Sequence, residues 1–270
     1  MKVKSFGVLK KTMNLNLIDV HLEELKILGY TVLENIITES DLKIYRDKLD
    51  DVYKKQTQEF SINELEIINE LQMARMPFLY DDFFCNLFTN QKLLNLLELI
   101  LGKYFVIHLQ NGIINMPNEI HHQTSWHRDL PYNDFTTSEP IGVSALYCLD
   151  DFNFETGGTN VLPFSHHLEN MPSDEFIEKH TKQLEANAGS VIIFNSMLFH
   201  KAGTNISNNI RRGVNHMFTK PIIKQQLNIP SAFQGDITAN PTLRMLLGYD
   251  FITENNVFEY RMNRINKKNK

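Results

Sequence analysis

Gly142-Val143-Ser144-Ala145-Leu146-Tyr147-Cys148-Leu149-Asp150-Asp151-Phe152, followed by Glu155-Thr156-Gly157-Gly158, is the stretch whose texture decides the fold. A short run rich in β-branched and aromatic residues stops at a turn signal. The same texture recurs at residues 104–116, 158–163, 191–194 and 212–218. Met116-Pro117-Asn118, Ala188-Gly189-Ser190 and Thr204-Asn205 separate these runs. Several short strands with long, variable connections predict a double-sheet jelly roll rather than a βαβ array. One helix is expected at residues 173–184, capped by Ser173, and a short one at residues 242–247.

Upstream, residues 1–102 read as mostly helical. Thr38-Glu39-Ser40-Asp41 is a helix start, with Thr38 as cap and Asp41 a carboxylate in the first turn. Leu42, Tyr45, Leu49 and Val52 then recur at spacings of three and four, giving one apolar stripe. Ile62, Leu65, Ile68 and Leu71 predict a second stripe. Leu93, Leu94, Leu97 and Leu101 predict a third, with Gly102 where a helix would stop. The chain therefore reads as one domain over residues 1–270, mainly β with a helical buttress (1–102), a jelly-roll core (103–222) and a C-terminal extension (223–270). The extension ends in the basic run Arg261, Arg264, Lys267, Lys268 and Lys270, expected to be a frayed, solvated tail.

With 42% hydrophobic and 22% charged residues, the composition is that of a soluble globular protein. A net charge of -5 supplies no electrostatic reason to expect nucleic acid as partner. No window approaches the ~20 apolar residues of a membrane helix, and Met1 to Met13 lacks the apolar stretch of a signal peptide. Cys85 and Cys148 are too few and too far apart for a disulfide framework or a zinc knuckle. A reducing, cytoplasmic compartment and a small-molecule substrate are expected, with no membrane; oligomeric state is not legible at this level.

The densest chemical signal is Trp126-His127-Arg128-Asp129-Leu130-Pro131-Tyr132. On a strand, residues two apart share a face, so His127 and Asp129 can present an imidazole and a carboxylate to one point. His200, after the apolar run Val191-Ile192-Ile193-Phe194, is the candidate third ligand. Two histidines and one carboxylate on one face of a metal leave three positions open, the facial triad of non-haem iron(II) oxygenases. Arg211 follows across Thr204-Asn205-Ile206-Ser207, and its guanidinium suits the distal carboxylate of 2-oxoglutarate. The three ligands alone are equally compatible with a cupin-like zinc or manganese hydrolase or isomerase. A catalytically silent jelly-roll binding module would be expected to lack a ligand or the arginine, and all four are present.

These blocks resemble the phytanoyl-CoA dioxygenase family of 2-oxoglutarate oxygenases. The resemblance runs from about Leu28 to Lys220. It is carried by Leu28-Gly29-Tyr30-Thr31-Val32-Leu33, His127-Arg128-Asp129, Leu149-Asp150-Asp151 and Thr156-Gly157-Gly158-Thr159-Asn160-Val161-Leu162-Pro163 with Ser165-His166. Gly189-Ser190-Val191, His200, Thr204-Asn205-Ile206-Ser207 and Arg211 complete it. It implies a distorted double-stranded β-helix and an iron(II) site of His127, Asp129 and His200. It also implies 2-oxoglutarate and O2 as co-substrates, with ascorbate the usual reductant in vitro. Arg211, rather than Arg212, aligns with the co-substrate arginine, and Asn115 falls where some relatives hold the co-substrate with an amide. Hydroxylation of an aliphatic C–H in a biosynthetic pathway is the implied outcome, since Asp129 fills the position that related halogenases vacate. Two departures stand in the pocket wall: Ala202 where relatives often carry serine, and Leu146 near where some carry tryptophan.

The remaining polar residues have plainer readings. Adjacent His121-His122 and His166-His167 diverge on an extended chain and fit loop roles. Trp126 alternates away from His127 and fits packing. Gln123, Arg128, Tyr132 and Asn111 are solvated or orient substrate, and Met73, Arg75, Met76 and Phe78 border the pocket mouth. Gly157-Gly158 fits a tight turn between strands rather than a phosphate loop.

Overall fold

The computed structural model describes residues 17–130, 135–237 and 240–268. Its strands are β1 (Tyr30–Leu33), β2 (Met73–Arg75), β3 (Val106–Asn115), β4 (Gly142–Cys148), β5 (Asn160–Val161), β6 (Lys182–Gln183), β7 (Val191–Asn195), β8 (His200–Lys201) and β9 (Arg211–Thr219). The large sheet runs in the order β1-β7-β4-β9-β3-β2 and the small one β6-β5-β8. All pairings are antiparallel. Together they make the jelly roll, with helices packed on the outer face of the large sheet.

Alternation along β4 explains how one strand serves two cores. Val143, Ala145 and Tyr147 turn outward and join Leu42, Tyr45, Leu49 and Val52 of the helix Glu39–Glu59. Leu146 and Cys148 turn between the sheets and join Ile113, Phe152, Val161, Ile192 and Phe194. Neighbouring strand residues point to opposite faces. Because both faces are covered, β4 is buried along its whole length. Helix and sheet approach closely at Gly112, where a Cβ would stand 2.2 Å from Leu49 Cδ1.

Local signals place several helix ends. Thr38 Oγ1 accepts the Asp41 N–H at 3.3 Å, and Ser173 caps the helix Asp174–His180. The helix Gln91–Leu101 buries Leu93, Leu94, Leu97 and Leu101 and stops at Gly102, whose φ is +88°. The short helix expected near residue 242 spans Pro241–Leu246, with Asn240 capping it and the proline in its first turn, where no backbone donor is needed.

Elsewhere tertiary pairing overrides the local reading. The N-terminal segment is not all helix, because β1 pairs with β7 and β2 with β3. The expected stripe of Ile62, Leu65, Ile68 and Leu71 reduces to the helix Ile62–Ile67, of which only Leu65 is buried. Positive φ at Asn69 (54°) and Gln72 (61°) turns the chain away before more turns form. The helix expected over residues 173–184 ends at His180, since Lys182–Gln183 pairs with β5 instead. As far as Lys268 the basic run is not frayed: it belongs to the helix Val257–Lys268, with Arg261, Arg264 and Lys268 exposed. Met1 to Met13 and Lys270 lie outside the described residues. No helix among the described residues is long and apolar enough to cross a membrane.

Candidate active site

His127 and His200 are bound to each other through the backbone. Each donates its N–H to the other's carbonyl at 3.0 Å, an isolated antiparallel bridge rather than the longer strand the His-x-Asp spacing suggests. Asp129 N–H then donates to Ser196 O at 3.1 Å. Residues two apart keep one face even in this short bridge, so His127 and Asp129 meet His200. Arg128 between them turns away. Its Nε donates to Met197 O at 2.7 Å, its Nη atoms donate to the carbonyls of Glu169, Ser165 and Leu168, and the guanidinium lies 3.9 Å from the Phe199 ring centroid. Arg128 thus anchors backbone carbonyls.

One ligand atom from each of His127, Asp129 and His200 lies within 4.8 Å of the other two. Asp129 Oδ1 and His200 Nε2 are 3.5 Å apart, a gap that two metal–ligand bonds of about 2.1 Å can span. The outer contacts leave the inward atoms free. His127 Nδ1 faces Ser125 O at 2.8 Å and His200 Nδ1 faces Leu198 O at 2.9 Å. A carbonyl only accepts, so both Nδ1 atoms carry the proton and both Nε2 lone pairs point to the shared centre. Asp129 Oδ2 accepts from Ser144 Oγ and from Asn215 Nδ2 at 3.1 Å, leaving Oδ1 to the centre. Such outer partners orient metal ligands and fix imidazole tautomers.

Electrostatics match that role. Burial pushes the His127 imidazole down to about 4, with repulsion from His200 in the same direction and Asp129 opposing. Burial works against the Asp129 charge, but His200, His127 and Ser144 outweigh it and hold the carboxyl well below its usual range. Burial likewise opposes protonation of His200, and the Asp129 carboxylate overcomes it, so that imidazole is raised. A charged carboxylate beside the neutral His127 imidazole favours a cation, and a metal taking His200 Nε2 would displace the proton that Asp129 draws there.

Arg211 is 1% exposed and lies 4.3 Å from the Phe152 ring centroid. Its Nε and Nη2 have no hydrogen-bond partner. Burial lowers it to about 10, so it stays charged at neutral pH. Arg212 faces the other way, its guanidinium held by Asp50 at 2.8 Å and by Asp150 at 3.3 Å. Arg211 shares a narrow cleft, with a cavity volume of about 20 Å³, with His127, Asp129, His200, Ile113, Gln123, Leu146, Thr159, Phe194, Ala202 and Asn215. Asn115 pairs with Arg211 across β3 and β9. Its Nδ2 donates to Gly203 O at 3.0 Å, its Oδ1 is unpartnered, and it is not among the cleft's lining residues.

The other singled-out residues separate cleanly. Gln123, Ala202 and Leu146 border the cleft. Trp126 packs beside Leu162, Ile177 and Phe199, under Lys201 at 5.1 Å. Asn111 accepts from Arg75 at 3.0 Å, and Met76 and Phe78 are core residues rather than a pocket mouth. His121 accepts the Gln123 N–H, and His166 and His167 face Lys26 O. Gly157 makes the tight turn, at φ +73° with 2.4 Å between a Cβ there and Gly203 O. Tyr132 lies outside the described residues. Ser144, Thr159 and Asn215 escaped the sequence reading. Asn215 shares the parity of Arg211 on β9, a signal that could have found it, whereas Ser144 is hidden in an apolar run.

The phytanoyl-CoA dioxygenase profile matches residues 28–213. An uncharacterized protein of Mycobacterium tuberculosis is 28% identical over 247 residues, covering 88% of this chain and 89% of that protein. The peroxisomal phytanoyl-CoA dioxygenase of Bos taurus is 21% identical over 220 residues, covering 70% of this chain and 65% of its own. Among solved structures, the non-heme alpha ketoglutarate dependent epimerase SnoN from nogalamycin biosynthesis shares the fold (TM-score 0.58, 15% identity, 76% of this chain and 81% of that one). So does HygX from Streptomyces hygroscopicus with nickel, 2-oxoglutarate and hygromycin B bound (TM-score 0.59, 13% identity, 76% and 88%). With its jelly roll, its His127-Asp129-His200 cluster and a profile match over most of its length, the chain belongs to the phytanoyl-CoA dioxygenase family.

Proposed function

We propose that this protein is an iron(II)- and 2-oxoglutarate-dependent dioxygenase that hydroxylates an aliphatic C–H bond of a small metabolite in a biosynthetic pathway. Arg211 carries the reading. A fully buried guanidinium with two unpartnered nitrogens, opening on the same cleft as three convergent metal donors, fits an anionic ligand that also reaches the metal. The donor set itself suits several divalent ions. A zinc or manganese hydrolase would leave Arg211 without a purpose, and a silent binding module would have no use for the ligand cluster.

His127, Asp129 and His200 would hold the iron and Arg211 the distal carboxylate of 2-oxoglutarate. When bound, iron(II) supplies dioxygen activation, coupling decarboxylation of 2-oxoglutarate to succinate with oxidation of a substrate C–H bond. The Ser125 and Leu198 carbonyls keep the two imidazoles in the metal-binding tautomer. Ser144 and Asn215 hold Asp129 to one free oxygen. Ile113, Leu146 and Phe194 form the apolar part of the wall and exclude water from the reacting region.

The test is succinate formation by purified protein with iron(II), ascorbate, oxygen and 2-oxoglutarate, with His127→Ala and Arg211→Ala as controls. Succinate from the unaltered chain alone is the expected result. Failure of 2-oxoglutarate to bind the iron-loaded protein would sink the assignment and favour the zinc or manganese alternative.

A further inference from the structure

The helix Val257–Lys268 buries none of its apolar side chains. Phe258 is 73% exposed, Ile265 50% and Met262 38%, and Val257 and Tyr260 are also in the open. Its side-chain hydrogen bonds stay local. Asn256 Oδ1 accepts the Glu259 N–H at 3.0 Å, Glu259 Oε2 accepts the Asn255 N–H at 3.0 Å, and Arg264 Nη1 donates to the Tyr260 hydroxyl at 2.6 Å. Helical stability in proteins comes mostly from packing an apolar face, and an uncovered helix of this length is marginal in water. Such a face calls for a cover.

Successive residues turn by about 100° around a helix, which sorts these side chains into three strips. Asn263 and Asn266 form the first; with Tyr104, Arg244, Tyr249 and Phe251 they line a cavity of about 870 Å³, so this strip looks toward the body. Met262, Phe258 and Ile265 form the second strip, turned aside into solvent. Arg261, Lys268 and Arg264 form the third, also exposed. Tyr104, Phe251 and Ile252 on the cavity rim add exposed apolar area at the same end of the molecule, and Lys103 Nζ lies 5.4 Å from the Tyr104 ring centroid. Charge is distributed unevenly along the chain. Residues 223–270 carry seven Lys and Arg against four Asp and Glu, a net +3 within a total of -5, which leaves -8 on residues 1–222.

We propose that the helix Val257–Lys268 docks on an anionic lipid bilayer. It lies in the plane of the surface, with Phe258, Met262 and Ile265 below the headgroups and Arg261, Arg264 and Lys268 on the lipid phosphates. An apolar strip beside a basic one, on a helix of low mean hydropathy, is the pattern that settles at such an interface. Charge complementarity decides the occupant. A second copy laid antiparallel on the apolar strip would set one basic strip against its twin, and like charges brought together oppose pairing. An anionic surface satisfies both strips at once, and it repels the acidic remainder of the chain, which turns this end toward the lipid. The attachment is independent of the oxygenase reading.

The test is flotation of the full chain with vesicles of phosphatidylcholine alone, and of phosphatidylcholine and phosphatidylglycerol in about equal parts. At about 0.1 M salt the protein is expected to float with the mixed vesicles and not with phosphatidylcholine alone, and about 1 M salt should release it. Phe258→Ser should raise the half-binding lipid concentration about tenfold. Arg261→Gln combined with Arg264→Gln should raise it about thirtyfold. These side chains are exposed, so the thermal midpoint in the absence of lipid should stay within about 2 °C. Protein that does not float with the mixed vesicles, equal binding to phosphatidylcholine alone, or binding that both variants keep within about threefold overturns the proposal. A concentration-dependent dimer in sedimentation that Phe258→Ser abolishes also overturns it, because a second copy then covers the strip. So does a midpoint lowered by more than about 5 °C in Phe258→Ser, because the side chain then braces the fold.

Discussion

Arg211→Met should move stability and co-substrate binding in opposite directions. In the ligand-free protein, Arg211 buries a charge with Nε and Nη2 unpaired, its guanidinium supported by the Phe152 ring at 4.3 Å. Burial already weakens its hold on the proton, down to about 10. Methionine keeps much of the length and the contact with Phe152 while removing the charge. Replacing a buried charge by a well-packed apolar side chain is worth roughly 1–4 kcal/mol to the fold, so urea unfolding of the ligand-free variant should show a gain of that order. Binding should move the other way. Truncating one partner of a buried, hydrogen-bonded charge pair costs about 2–5 kcal/mol. At about 1.4 kcal/mol per decade, 2-oxoglutarate affinity should fall by roughly thirtyfold to a few thousandfold. Calorimetric titration of the metal-loaded protein under nitrogen reads this directly. A variant that binds 2-oxoglutarate within about threefold of the unaltered chain, or that unfolds more easily without ligand, would refute the reasoning.

Ser144→Ala removes a donor to Asp129 Oδ2, and iron(II) affinity measured by competition with a chelator should fall about 10- to 100-fold. Gly157→Ala places a Cβ 2.4 Å from Gly203 O at a φ of +73°; it should destabilise by more than about 1 kcal/mol, seen as a lower urea midpoint. His216 is fully buried, and burial lowers it to about 3 from an ordinary 6.5. Gln110 Oε1 accepts the Phe78 N–H, so Gln110 Nε2 must donate to His216 Nε2, and a second proton there would set two donors face to face. Between pH 6.5 and 3 the unfolded chain takes up a proton that the folded chain refuses. Stability therefore holds above pH 6.5 and falls by about 1.4 kcal/mol per unit as the pH drops below it. His216→Asn should flatten the slope of unfolding free energy against pH by that amount, and an unchanged slope counts against the burial argument.

Parity along a strand is legible in sequence, and it separates Arg211 from Arg212 before any contact is known. The ion pairs of Arg212 with Asp50 and Asp150 are not legible, because they depend on where the helix Glu39–Glu59 docks. The same limit applies at the cluster of His127, Asp129 and His200. The spacing of His127 and Asp129 places them on one face, but nothing local says that His127 and His200 trade backbone hydrogen bonds. Nor does anything local say that β4 brings Ser144 to Asp129, because register belongs to pairs of strands. The failures have the same origin. Ile62, Leu65 and Ile68 recur at helical spacing, yet spacing says only that a face exists, and Ile62 and Ile68 find no neighbour to cover them, at 62% and 57% exposure. The four residues of β1 are too few for a period of two to be distinguished from helix, and the strand is defined by its ladder with β7. His108 is the sharpest case. Strict alternation along β3 would put it on the opposite face from Leu109, and the bulge between Ile107 and Leu109 breaks that count. A residue displaced from its expected parity by a backbone irregularity is the kind of position that sequence periodicity is bound to misplace.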